Sequence, residues 1–256
     1  MIALALLFLS AGETSATTEH FSHSEWTQVL SRHVTDQGLV DYQALAKNPA
    51  ALRRYITAIA SVGPTARPDL FPTENDRLAY YLNAYNALVF EGVLARGPEP
   101  DSVWNGGLIS GYRFFVAMKF EVDGKKTSLK KLEDDLVRDQ FRDPRVHAAL
   151  NCASVGCPRL PQKAFDPAHL EEELDAAMRE FVSSTKHVRV DTEESVVYLS
   201  RIFDWFSSDF LAHEKEQGTI RPTLIDYVNR YRDDSAHIPI GFKVRFLEYD
   251  KGINAV

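Results

Sequence analysis

The sequence predicts a single α+β domain, helix-rich with a small, mainly antiparallel sheet. Segments with apolar residues at helical spacing dominate the chain between Trp26 and Tyr231. A few short alternating stretches bounded by turn residues interrupt them. No internal repeat, low-complexity run or long linker divides the 256 residues.

Trp26, Val29, Leu30 and His33 share a helical face, and Asp36-Gln37-Gly38 then breaks the pattern before a short extended piece at Val40-Asp41-Tyr42. A second helix is predicted over Ala50–Ala60. The prolines 64, 68 and 72 mark a loop. Thr73 reads as an N-cap with Glu74 and Asp76 in the first turn, so a long helix should run from Glu74 to about Ala95. Val103–Gly111, with three glycines, reads as a loop, and Arg113–Val122 as a strand that ends in the Asp123-Gly124 turn and pairs with Lys125–Thr127. Ser128 should cap a helix over Leu129–Gln140, and Asp166 with Pro167 should start another that reaches Val182. Val188–Val190 and Val196–Leu199 read as strands, Ile202–Ala212 and Thr219–Tyr231 as helices, and Phe242–Leu247 as a terminal strand.

The first residues have the layout of a secretory signal peptide: an apolar run Ile2–Leu9, too short to span a bilayer, followed by small residues up to Ala16. This predicts removal of residues 1–16 and an exported, periplasmic or extracellular domain over 17–256, with no integral membrane segment left. The net charge of −7 is mild and the basic residues are scattered. That excludes an electrostatic nucleic-acid footprint and favours a small-molecule, peptide or protein ligand. No cofactor motif is present, and two cysteines cannot make a four-thiolate zinc site, so neither a cofactor nor a metal is predicted.

Three segments concentrate chemistry. Asp143–Pro158 holds His147, Asn151, Cys152 and Cys157, and fits either a helix start or one face of a strand. His147 and Asn151 share a face in both cases. A thiol becomes nucleophilic beside a base, and a histidine oriented by an amide or carboxylate supplies one. Cys152 as nucleophile, His147 as base and Asn83 or Asn151 as the orienting group therefore form one candidate set. A turn through Ala153–Gly156 would equally let Cys152 and Cys157 form a disulfide. The second segment, Tyr80–Glu91, places Asn83 and Asn86 on one helical face, either to tie helix to loop or to line a pocket beside the cysteines. The third, Leu199–Phe210, reads mainly as aromatic core including Trp205 and Phe206, with Arg201 and Asp209 as a buried ion pair or site wall.

The order of these motifs resembles the family called domain of unknown function 547. The resemblance runs from Trp26 through Val40-Asp41-Tyr42, the Leu82–Leu88 asparagine helix, Ser128-Leu129, Leu132-Glu133, the cysteine segment and Leu199–Phe210. It closes at Tyr249–Asn254, where Lys251 stands in place of the family's tryptophan. It implies membership of a family and carries no reaction with it. The residues themselves point to a thiol-dependent hydrolase or acyl transferase of peptide or amide bonds. The alternative is a non-enzymatic exported binding domain with a structural disulfide, and a redox-active cysteine pair is a third reading.

Overall fold

The computed structural model describes residues 19–97, 101–104 and 111–256. The predicted signal peptide and most of the predicted Val103–Gly111 loop lie outside the described residues. What is described is a helix-rich α+β structure with two small sheets.

Helices α1 (Ser24–His33), α2 (Tyr42–Lys47) and α3 (Ala50–Ser61) pack around the long α4 (Glu74–Ala95). Thr73 caps α4 as predicted: its hydroxyl accepts from the Asp76 N–H while the Asp76 carboxylate accepts from the Thr73 N–H, a reciprocal box that satisfies two terminal donors. Gly97, at φ 103°, follows the helix end. Residues Leu78–Phe90 of α4 are all buried, so this helix is the axis of the first core cluster rather than an amphipathic surface element.

Strands β1 (Phe120–Val122) and β2 (Lys125–Thr127) form an antiparallel hairpin around the predicted Asp123-Gly124 turn. The strand predicted to begin at Arg113 is shorter than expected, because Arg113–Ala117 is a wide helical turn. Phe114 and Phe115 are adjacent and both buried, which an alternating strand with one solvent face does not allow. Ser128 then caps a continuous helical run, Leu129–Lys131, Leu132–Arg138 and Asp139–Phe141, together called α5; its middle part is widened to the π form.

The ambiguous cysteine segment opens with a one-turn helix, α6 (Val146–Ala149). Helix α7 (Leu170–Ser183) starts after a turn that contains Pro167. Its start is later than predicted because Asp166 caps only that turn, through the Ala168 N–H. Strands β3 (Val188–Asp191) and β4 (Val196–Leu199) are antiparallel, and β5 (Lys243–Phe246) joins β4 in parallel. The connection between β4 and β5 carries α8 (Arg201–Trp205), α9 (Ser207–Glu216) and α10 (Leu224–Arg230). With α7 and the three-stranded sheet these helices enclose a second core cluster. Predicted as one helix, 202–212 is broken at Phe206, and the last helix begins only at its Thr223 cap.

After β5 the chain runs back across the first cluster. The N–H groups of Val155 and Gly156 donate to the carbonyls of Gly252 and Asp250, the Asn254 N–H to Ala153, and the Val40 N–H to Asn254. The C-terminal segment thus lies between the cysteine loop and the Val40 segment ahead of α2 and ties the two together. Among the described residues no helix is long and apolar enough to cross a membrane.

Candidate functional site

Asn151, Cys152 and Cys157 sit in a turn fixed by side-chain amides. Asn86 on α4 donates to the Ala149 carbonyl and accepts from the Asn151 N–H, both near 3 Å. Asn151 donates to the Pro158 carbonyl and accepts from the Ala153 N–H, while the Asn254 amide also donates to it. These bonds hold Ala153 at φ 62°, a left-handed conformation that lets the chain double back. Asn83 makes the same pair of bonds to the backbone of Phe165. The three predicted asparagines are therefore buried clamps on backbone, and none of them contacts His147.

The turn brings the cysteine sulfurs to 2.7 Å, with both thiols free. A disulfide bond would measure about 2.05 Å. Cys157 is buried and Cys152 partly exposed. The Cys157 sulfur faces the Cys152 N–H at 3.0 Å and the Tyr249 hydroxyl at 3.1 Å, and that hydroxyl is equally close to Cys152. Burial alone would raise the Cys157 thiol, but the donors around it, Cys152 and Tyr249 first, pull it below its ordinary range. Cys152 moves the other way, pushed up by its hydrogen bond to Cys157 and by burial. Tyr249 reaches both sulfurs because residue 156 is glycine: a Cβ there would stand 2.8 Å from the tyrosine ring.

His147 on α6 is oriented by Asp209 of α9, whose Oδ2 lies 2.9 Å from Nε2. Asp209 also accepts two bonds from Arg138 of α5, at 2.8 and 3.1 Å. Although burial opposes ionisation, His147 and Arg138 hold the Asp209 carboxyl well below the usual carboxylate range. An ionised carboxylate only accepts, so Nε2 carries the proton. Burial keeps the ring neutral by lowering its pKa against the pull of Asp209. The other nitrogen, Nδ1, is then the basic one. Phe206 stacks on the imidazole at 4.1 Å and meets the Arg138 guanidinium at 4.6 Å.

Both groups open onto one cleft of about 660 Å³ lined by Cys152, Cys157, His147, Tyr249, Tyr85 and Glu133 among aromatic and aliphatic side chains. Glu133 is the polar member that composition and spacing did not single out. Its position in the acidic run Glu133-Asp134-Asp135 reads as a solvated face, and only the widened turn of α5 aims it inward, where the Tyr85 hydroxyl lies 3.4 Å away. Burial, with Asp134 and Cys152 nearby, pushes its pKa up to about 7. Arg138 and Tyr249 were also missed as site members, the first hidden among exposed charges and the second separated from Cys152 by 97 positions.

Of the other predicted residues, Asp209 forms an ion pair, but its partner is Arg138. Arg201 pairs with Asp204 at 2.6 Å instead. Trp205, expected in the core, is half-exposed beside Tyr249 at the cleft mouth, and Phe206 is only partly buried. Among the described residues no group of three or more His, Cys, Asp or Glu side chains could hold a metal ion.

Residues 70–182 match the family described as Protein of unknown function, DUF547. The match contains Glu133, Arg138, His147, Cys152 and Cys157, and ends before Asp209 and Tyr249. No curated protein and no solved structure matches the chain.

Proposed function

We propose, for a chain whose residues 70–182 belong to the DUF547 family, a thiol-dependent hydrolase or acyl transferase of peptide or amide bonds. One observation carries this reading: a partly exposed cysteine and a neutral histidine held by an ionised aspartate line the same cleft. Cys152 Sγ attacks the substrate carbonyl carbon and its proton passes to His147 Nδ1. The imidazolium, stabilised by Asp209, then protonates the departing amine as the C–N bond breaks, leaving a thioester. Water, or an acceptor amine or alcohol deprotonated by His147, attacks that thioester and restores the thiol. Tyr249, whose hydroxyl is 3.1 Å from each sulfur, is the nearest side-chain donor for the oxyanion. The apolar Ile2–Leu9 run supports export as the setting.

The 2.7 Å sulfur contact favours a second reading, in which Cys152 and Cys157 are oxidised to a disulfide, structural in a binding domain or exchanging in a redox protein. Alkylation of the native protein without reductant, read by mass spectrometry, separates the two. The thiol-enzyme reading expects labelling of Cys152 alone, slowed at least tenfold in His147→Ala. No labelling until reductant is added would remove the nucleophile and leave the disulfide reading.

A further inference from the structure

We infer that the acyl half of the substrate is a bulky apolar group, seated between Trp205, Phe206, Tyr112 and Phe115 with its carbonyl toward Cys152; this rests on the acyl-transfer reading above. Two large aromatic side chains, Tyr112 and Trp205, are 61% and 50% exposed, yet both border the cleft that contains the thiols. Exposed aromatics are costly in water and are retained where a ligand covers them. Phe115, Val116, Leu150 and Ile202 continue the same lining toward the floor.

The thiols and one hydroxyl are gathered in one place. The two sulfurs and the Tyr249 hydroxyl lie within 3.1 Å of one another. The Trp104 indole N–H is turned away from ligand duty by its bond to Ser154, 3.2 Å long, and its ring packs on Phe115. Gly111 makes room for that ring, since a Cβ at 111 would stand 2.4 Å from it. Besides the polar groups of Tyr85, Lys130, Glu133 and Tyr249, the walls offer a substrate mostly π-face and methyl surface, which suits a hydrocarbon acyl chain.

The test has two arms. In the first, octanamide is titrated into Cys152→Ser, which cannot form the thioester, with tryptophan fluorescence as the readout. Binding should be at least tenfold weaker in Cys152→Ser/Trp205→Ala, a pair whose second site is half-exposed and whose folding is checked by its melting midpoint. In the second, the protein with both cysteines is given p-nitrophenyl acetate, butyrate and octanoate. The rate constant kcat/KM should rise about fourfold for each methylene the cleft buries, and the octanoate-to-acetate ratio should collapse at least tenfold in Trp205→Ala. Octanamide that fails to bind, or binds equally well without Trp205, would overturn the apolar acyl class even if the esters are hydrolysed. Trp205-dependent octanamide binding without turnover of any ester would instead overturn the acyl-transfer reading, with the apolar ligand class supported.

Discussion

Asp209 gathers hydrogen bonds from Arg138, His147 and Ser208, and those to Oδ2, from Arg138 Nε and His147 Nε2, would be lost or reversed if that oxygen became an amide NH2. Asp209→Asn preserves shape but can offer its NH2 to Nε2, which would move the imidazole proton to Nδ1 and remove the base. We expect kcat to fall about 100-fold or more with little change in KM, measured on the octanoyl ester, and the alkylation rate of Cys152 to fall with it. An Asp209→Asn variant with unchanged kcat would show that His147 is not the base. His147, Cys152 and Cys157 were legible as a candidate group because titratable side chains stood out in an apolar segment. Their orienting partner was noticed as an acidic residue but paired with the wrong arginine. Arg201 is eight positions away in sequence, whereas Arg138 reaches Asp209 only through tertiary packing of α5 against α9.

At the level of elements, the helices whose caps are local were read closely from the sequence, α4 above all, because Thr73 and Asp76 close their own box. The larger misreadings were decided by distant contacts, although the Thr223 box that starts α10 is local and was passed over for Thr219. Arg113–Ala117 coils because both phenylalanines find a core, and α5 widens in a stretch that carries no glycine or proline to announce it. The asparagine helix illustrates the same limit: spacing put Asn83 and Asn86 on one face, but only the fold shows that their amides hold the backbones of Phe165 and the cysteine turn. Replacing Asn86 by Ala would orphan a buried N–H at Asn151 and a carbonyl at Ala149. Each unsatisfied group costs about 1–3 kcal/mol, so the variant should lose roughly 2–6 kcal/mol in urea unfolding. It should also release the cysteine turn, seen as faster alkylation of Cys157; normal stability and normal protection of Cys157 would refute the clamp.

The whole molecule carries opposing titrations. His23, His33, His147 and His187 are all depressed by burial, His23 to about 4 and His187 to about 3. The unfolded chain binds protons on these histidines near pH 6.5 while the folded chain does not, so their stabilisation is complete above pH 6.5 and is lost as the pH falls below it. Glu133 has the reverse sign. Its folded pKa of about 7 lies above its ordinary 4.5, so its contribution is full below pH 4.5 and disappears as the pH rises through 7. Between pH 5 and 6.5 these histidines outnumber the one opposing carboxyl, so the unfolded chain binds the excess of protons. Stability should therefore climb with pH by on the order of 1–2 kcal/mol per unit near pH 5, then level off toward pH 7.5, where the ionisation of Glu133 cancels what remains of the histidine contribution. Glu133→Gln removes only the opposing group. The stability of the variant should climb more steeply with pH between 5 and 7, read as urea midpoints at half-unit steps from pH 5 to 8. The carboxyl that flattens this curve also faces Cys152, so the same ionisation should appear in the activity profile. A bend near pH 7 in kcat/KM that vanishes in Glu133→Gln would tie the stability curve to the cleft, whereas superimposable curves for the two proteins would place Glu133 in ordinary solvent and detach it from the site.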